Sequence, residues 1–235
     1  WEEAFHRIGA VLRGLEPDQV EFYTSGRASN EAAYLFQLFA REYGTNNFPD
    51  CSNMCHEATS VGLPRSIGIG KGTVSLDDFD KTELAISIGH NPGTNHPRMM
   101  GTLHELARRN VPIIVFNPLR ERALERFADP QSVIEMATYG STDIASTYFQ
   151  VKAGGDAAAL KGIAKHLLEM EAERGDVLDH AFIAEHTQGI EDFAADIAQT
   201  RWDEIERESG LNRAALKKVA DAYAKSNATI ITYGM

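Results

Sequence analysis

The sequence predicts an α/β fold, a parallel β-sheet flanked by helices. Leu84–Ile88 and Val111–Phe116 are continuous apolar runs, as expected of strands buried on both faces. His96–Asn110 between them reads as a helix, which makes a strand–helix–strand unit. Each run then breaks into a turn rich in Gly, Asn and Pro, where a strand must end.

The remaining elements follow in chain order. Trp1–Leu15 is predicted as an amphipathic helix with Phe5, Ile8, Val11 and Leu12 on one face, and Val20–Tyr23 as a short strand. In the helix predicted over Glu31–Glu42, Ala32, Leu35, Phe36 and Phe39 share a packing face. Asn46–Pro64 has no sustained period and holds both cysteines; a loop that long is more often functional than accidental. Tyr148–Val151 is a third strand, followed by Gly154-Gly155-Asp156 and a helix whose apolar face is Ala157, Leu160, Ile163, Ala164 and Leu167. Asn212 caps a helix through Ala224, and Thr229–Tyr233 is the last strand.

The 235 residues suffice for one or two domains. A net charge of −11 argues against coating nucleic acid, which demands Lys and Arg against phosphates. No apolar run approaches the roughly 20 residues of a membrane-spanning helix. Two cysteines, Cys51 and Cys55, are too few for a disulfide scaffold. Trp1-Glu2-Glu3 has neither a basic leader nor a cleavage site, and the chain stops two residues past a buried strand. The expectation is an internal piece of a longer, multi-domain subunit, cytoplasmic, with the periplasm as the other compartment.

Gly68-Ile69-Gly70-Lys71-Gly72-Thr73 invites a phosphate-loop reading and fails it. Gly72 stands where Ser or Thr must follow the lysine, and Arg65 where the first glycine belongs. As a dinucleotide fingerprint it also fails, with Thr73 at the third glycine and no apolar strand before it. A zinc motif is absent as well: there is neither a second cysteine pair nor an HExxH helix.

Ligands of open α/β sheets bind at the carboxyl ends of the strands. Those ends carry Ser25-Gly26-Arg27, Gly89-His90-Asn91-Pro92-Gly93-Thr94-Asn95-His96-Pro97, Asn117-Pro118 and Lys152-Ala153-Gly154-Gly155-Asp156. Glycine lets the backbone approach a ligand, Asn and Thr offer hydrogen bonds, and Arg27 and Lys152 can balance phosphate. The same residue types also build ordinary turns and caps, and composition alone leaves both readings open.

Taken with Asp50-Cys51-Ser52-Asn53-Met54-Cys55-His56, this series resembles the molybdopterin guanine dinucleotide oxidoreductases, the family of formate dehydrogenases and periplasmic nitrate reductases. Further markers are Trp1-Glu2-Glu3-Ala4, Asn30-Glu31, Gly44-Thr45-Asn46-Asn47, His186-Thr187-x-Gly189 and Tyr233-Gly234-Met235. The resemblance spans nearly the whole chain.

It implies a Rossmann-like cofactor-binding fold, and a molybdenum or tungsten ion held by two pterin dithiolenes with guanosine arms. Cys55 would be the protein ligand to the metal, a soft thiolate donor. His56 would handle the substrate proton. Arg27, Asn91, Thr94, Asn95, Asn117, Lys152, Gly154 and Asp156 would bind the cofactor. Residues 1–50 would belong to one α/β domain, and residues 51–235 to a second that carries the ligand loop and a guanosine-arm site. The implied reaction is two-electron oxidation of formate to CO2, with electrons leaving through a 4Fe–4S cluster, held before Trp1, to an electron-transfer partner. The chain alone would be inactive.

Departures bear on the substrate. Glu57-Ala58 stand where formate enzymes tend to carry Gly-Pro, and Asn117-Pro118-Leu119-Arg120 where they carry Asp-Pro and a basic residue. The alternatives are a family member acting on another small substrate and a non-catalytic cofactor-binding or carrier module.

Overall fold

The computed structural model of the chain describes residues 1–26, 28–49, 53 and 55–234. The chain forms two compact units, 1–73 and 74–234 among those residues. Of the stretch from 51 onward expected to open the second domain, residues 53 and 55–73 group with the first unit.

In the first unit, α1 spans Glu2–Arg13, α2 Asn30–Tyr43 and α3 Glu57–Ile67. The Ser29 hydroxyl accepts from the Ala32 amide at the start of α2, and Gly44 ends the helix with φ +105°. The two expected packing faces correspond to little burial. Phe5, Ile8 and Val11 of α1, and Leu35 and Phe39 of α2, remain more than half exposed. What holds the unit is Phe22, 6% exposed, with the edges of Phe36 and Phe39 at 5.6 Å. The strand expected at Val20–Tyr23 is extended backbone outside any ladder, because among the described residues no strand lies beside it. It is held instead by the Phe22 amide on the Asn47 carbonyl and by Asn47 Nδ2 on Val20 O. The aperiodic stretch Asn46–Pro64 becomes helical from Glu57, despite Pro64 in the last turn, and Gly68 stops that helix at φ +78°.

The second unit is the α/β sheet. After the short helix α4 (Asp78–Lys81) come β1 (Leu84–Ile88), α5 (Pro92–Asn95), α6 (Pro97–Arg108) and β2 (Ile113–Phe116). A one-turn helix α7 (Arg122–Glu125), β3 (Arg126–Phe127), α8 (Val133–Thr138) and β4 (Thr142–Asp143) precede β5 (Thr147–Phe149). Then come α9 (Asp156–Arg174), α10 (His180–His186), α11 (Ile190–Gln199), α12 (Trp202–Ser209), α13 (Arg213–Lys225) and β6 (Thr229–Tyr233). The sheet order is β5-β2-β1-β6, all parallel, with Ala85 opposite Ile113 and Ile230. β3 and β4 form a separate antiparallel ribbon.

Strand pleating sorts the core into two layers. Leu84, Ile86, Ile88, Ile114 and Phe116 face α9, α12 and α13 through Ile163, Ile205, Leu216 and Val219. Ala85, Ile113, Val115 and Ile230 face the other way, onto Met100, Leu103 and Leu106 of α6. The expected face of α9 is displaced: Leu160 is 45% exposed, whereas Ala159, Gly162, Ile163 and His166 are buried. A Cβ on Gly162 would come within 2.5 Å of Leu216 Cδ1, so a seam of small residues lets α13 and α12 close on α9. Lys165 extends from this layer to donate to the carbonyls of Ile197, Ala198 and Thr200, capping the end of α11.

Candidate functional site

The order of the strands locates a crevice. From β1 the chain steps outward to β2 and then β5, and finally returns to pair β6 on the other side of β1. Ligands in such sheets lie beyond the carboxyl ends where this reversal occurs. At that point Gly89 takes φ +65°, and a Cβ on Gly234 would strike the Gly89 carbonyl. The Gly234 amide donates to Ile88 O at 2.8 Å, which ties the two strand ends together.

His90 turns back onto the strands, its Nε2 2.9 Å from both Ser87 Oγ and Thr232 Oγ1, which are register partners on β1 and β6. Burial, and after it the neighbouring His96, holds its pKa below the ordinary histidine value. The neutral ring therefore acts as part of the strand-end framework.

The loops after β1 and β2 are cross-tied. Asn91 Oδ1 caps α5 by accepting from the Thr94 amide, while its Nδ2 donates to Glu121 Oε2 at 2.7 Å. Asn117, 6% exposed, donates from Nδ2 to His90 O and accepts at Oδ1 from the Leu119 amide. Tyr148 of β5 fixes the second loop, its hydroxyl donating to Leu119 O at 2.7 Å and accepting from the Glu121 amide at 3.0 Å. Burial raises the Tyr148 pKa above that of a free phenol, so the hydroxyl keeps its proton.

Asp156 opens α9 at the end of the third strand's loop. Its Oδ1 is buried and has no hydrogen-bond partner. Ile88, Phe116, Ala159 and Leu160 close around the aspartate, leaving a hollow too small to hold a water molecule. An acceptor in this state calls for a donor, because a buried unsatisfied carboxylate oxygen costs on the order of 1–3 kcal/mol or more. Beside it Gly155 is packed so that a Cβ would come within 2.5 Å of Glu208 O.

Of the sequence-predicted residues in this unit, Asn91, Asn117 and Asp156 thus share one rim. They reach it from two sides, Asp156 on the α9 face and the Asn91–Glu121 pair on the side where Tyr148 packs. Thr94 and Asn95 lie in α5 with exposed side chains, and Gly154, at φ +80°, shapes the turn before Asp156. Lys152 is occupied elsewhere: its ammonium donates to Arg207 O and its amide to Ser209 O, capping α12. A wider cleft, about 460 Å³, is lined by Glu83, Pro112, Lys218 and Lys225 at the opposite end of the strands, away from the rim.

Cys55 and His56 belong to the first unit. Cys55 is exposed and free of any disulfide. His56 precedes α3 with Nδ1 3.4 Å from Ser60 Oγ, and no described residue bonds to its Nε2. Arg27 and Cys51 lie outside the described residues. Sequence reasoning missed Glu121 and Tyr148; the signal available was an acidic residue four positions past the second strand's Asn117.

No described helix is long and apolar enough to cross a membrane. No cluster of His, Cys, Asp and Glu fit for a metal occurs among the described residues. A metal here would therefore have to arrive with most of its ligands, as one held by two pterin dithiolenes does. In the second unit a buried acceptor at the strand ends, and in the first an exposed thiol, are each compatible with such a group.

The comparisons with known proteins agree with this picture. The family model described as Molybdopterin oxidoreductase matches residues 1–175. Protein YdeP of Escherichia coli (strain K12) is 56% identical over all of this chain, which covers 32% of YdeP. The uncharacterized oxidoreductase Rv2900c of Mycobacterium tuberculosis (strain H37Rv) is 43% identical, again over the whole chain and 30% of the relative. A Staphylococcus aureus (strain MRSA252) protein whose name proposes a formate dehydrogenase is 27% identical over the whole chain and 22% of its own length. Acetylene hydratase from Pelobacter acetylenicus superposes with a TM-score of 0.60 at 18% identity, covering all of this chain and 29% of that one; this likeness concerns the fold. The chain spans about a third of the length of the first of these relatives.

Proposed function

The chain belongs to the molybdopterin oxidoreductase family, and from that premise we propose that it is the central part of a formate-dehydrogenase-like catalytic subunit. In this reading the second unit holds one guanosine arm of a bis-molybdopterin guanine dinucleotide. The first presents Cys55 as the protein ligand to molybdenum or tungsten. The observation that carries the arm assignment is the buried, unpartnered Oδ1 of Asp156 at the strand-end rim. Guanine offers an amide N–H and an amine on one edge, and a carboxylate is the side chain suited to accept from both.

The metal, when bound, would accept the two electrons that leave formate as it becomes CO2. The protein's own part in that step is the proton. His56, whose Nδ1 lies 3.4 Å from Ser60 Oγ, would take the proton released as the C–H bond breaks. Cys55 adds a soft donor on a side chain that is already solvent-accessible. A 4Fe–4S cluster would supply the route by which the electrons reach an electron-transfer partner.

A second reading within the family is favoured by one observation. The relatives at 56% and 43% identity bear names without a substrate, and formate enters only at 27%. That reading keeps the cofactor and replaces formate by another small molecule. The test is the full-length protein loaded with metal in a host that makes the cofactor. Formate-dependent dye reduction lost in Cys55→Ser supports the first reading. Stoichiometric metal without any formate activity rejects it in favour of the second. Cofactor bound without turnover of any small substrate would reject both and leave a non-catalytic cofactor-binding or carrier module.

A further inference from the structure

We infer that α8 is a docking face for an apolar segment of the same, longer subunit, one that lies outside these 235 residues and covers Val133, Ile134, Met136 and Tyr139. The face serves whichever substrate the subunit acts on. The helix is built inside out. Its charged residue faces the fold: Glu135 Oε1 lies 2.9 Å from His104 Nε2 of α6 and accepts from Thr142 Oγ1 of β4 at 2.7 Å, while Oε2 accepts from the Asp129 amide. The apolar residues face out. Val133, Ile134 and Tyr139 are each more than three-quarters exposed, and no residue of α8 enters either apolar layer of the core.

Successive residues step about 100° around a helix, which sets Glu135 opposite the arc running from Met136 through Val133 to Ile134. Ser132 caps the helix by accepting from the Glu135 amide. Polar bonds therefore fix where α8 sits, and its apolar arc is left for something else. Tyr139 ends the helix at φ +55°, a left-handed position that favours glycine. Its ring is 96% exposed, so nothing it packs against inside the chain offsets that strain.

From Ser132 to Gly140 Glu135 is the one charged side chain, and it is turned inward. An occupant therefore meets aliphatic and aromatic surface with no charge to match, the chemistry of a lasting contact rather than a transient one. A second copy of the chain is a poorer occupant. Four side chains offer on the order of a few hundred Å², short of the roughly 800 Å² per partner of a standard interface. A segment tethered in the same subunit needs less area, because the tether holds it at high effective concentration. There is chain enough to supply one, since these residues cover 32% of one relative and 30% of another.

The experiment compares the full-length protein with the 235-residue chain by hydroxyl-radical footprinting. Oxidation of Tyr139 and Met136 is read by peptide mass spectrometry, and the oligomeric state by light scattering. Tyr139 should oxidise readily in the chain and lose most of that reactivity in the full-length monomer. Ile134→Cys adds a thiol located in the same peptide map: a maleimide should label it in the chain but not in the native full-length protein, and unfolding should restore the labelling. The wild-type footprint decides the matter if that variant misfolds. Tyr139 as reactive in the full-length protein as in the chain overturns the inference. Protection confined to an oligomer and lost on dilution to monomer overturns it in favour of a second copy. Protection already present in the 235-residue chain overturns it too, because the cover would then be internal.

Discussion

A carboxylate oxygen buried without a donor is a residue held against its own solvation. Asp156 is such a residue, and its substitution separates binding from stability. Asp156→Asn should weaken GDP binding by roughly 10- to 100-fold, since hydrogen bonds to a charged acceptor are the strong ones. The unfolding free energy of the free chain, read from urea titration, should not fall by more than about 1 kcal/mol, because the oxygen has no internal partner to lose. In the full-length protein Cys55→Ser should remove most turnover, whereas Cys51→Ser should leave most of it. His56→Ala should slow C–H cleavage by roughly 10²–10⁴-fold, and equal rates in a deuterated-formate assay of the two proteins would exclude His56 from the proton step. At this scale the sequence was informative about place and less so about use. Gly, Asn and Asp after apolar runs located the ends of the strands. Nothing in the local sequence said that Asn117 and Lys152 are spent on carbonyls 27 and 55 residues away. Nor did it say that Glu121 meets Asn91 across 30 positions.

Among the elements, α6, α8 and the β3–β4 ribbon are joined by one polar cluster inside the fold. His104, 4% exposed, lies 2.9 Å from Glu135 Oε1 and 3.0 Å from Thr142 Oγ1, and the Asp129 amide donates to Glu135 Oε2. The hydrogen bond from His104, then those from the Asp129 amide and Thr142, pull the Glu135 carboxyl from 4.5 down to about 2. A carboxyl depressed in the folded state stabilises it above the ordinary pKa, and that contribution is lost as pH falls from about 4.5 through about 2. Urea midpoints measured across that window should fall with acid in the wild type, and Glu135→Gln should be less stable at neutral pH with a flatter acid limb. The helical layer gives a second test. Gly162→Ala should destabilise by about 1–3 kcal/mol, because the new methyl meets Leu216 and Ile205 with no room to yield; an unchanged melting temperature would contradict the seam. The strands were legible because uniform apolar runs have few alternatives. The burial of α9 was not, because three of its buried residues, Ala159, Gly162 and His166, carry little hydrophobic signal. α1 and α2 showed their apolar periods plainly, yet period alone does not reveal whether a partner covers the stripe.

At the scale of the molecule, two units and a third of the length of its relatives set what the chain can do by itself. A metal carried by two dithiolenes is gripped mainly through its cofactor, and in the proposed reading the second unit would seat one arm of it. The isolated chain should therefore be catalytically silent and retain no stoichiometric molybdenum after expression in a cofactor-making host; formate-dependent dye reduction from these 235 residues would refute that. The strand order has a further consequence, in time rather than in space. β1 lies between β2, which follows it closely, and β6, whose Thr232 meets His90 across 142 positions. At about 5–20 residues per second, a ribosome exposes one side of β1 for on the order of ten seconds before its second neighbour exists. Throughout that interval Leu84–Ile88 is an apolar edge with unpaired amides, open to the wrong strand. Yield in cells should therefore respond to translation speed and to chaperone supply more than to the stability of the finished sheet.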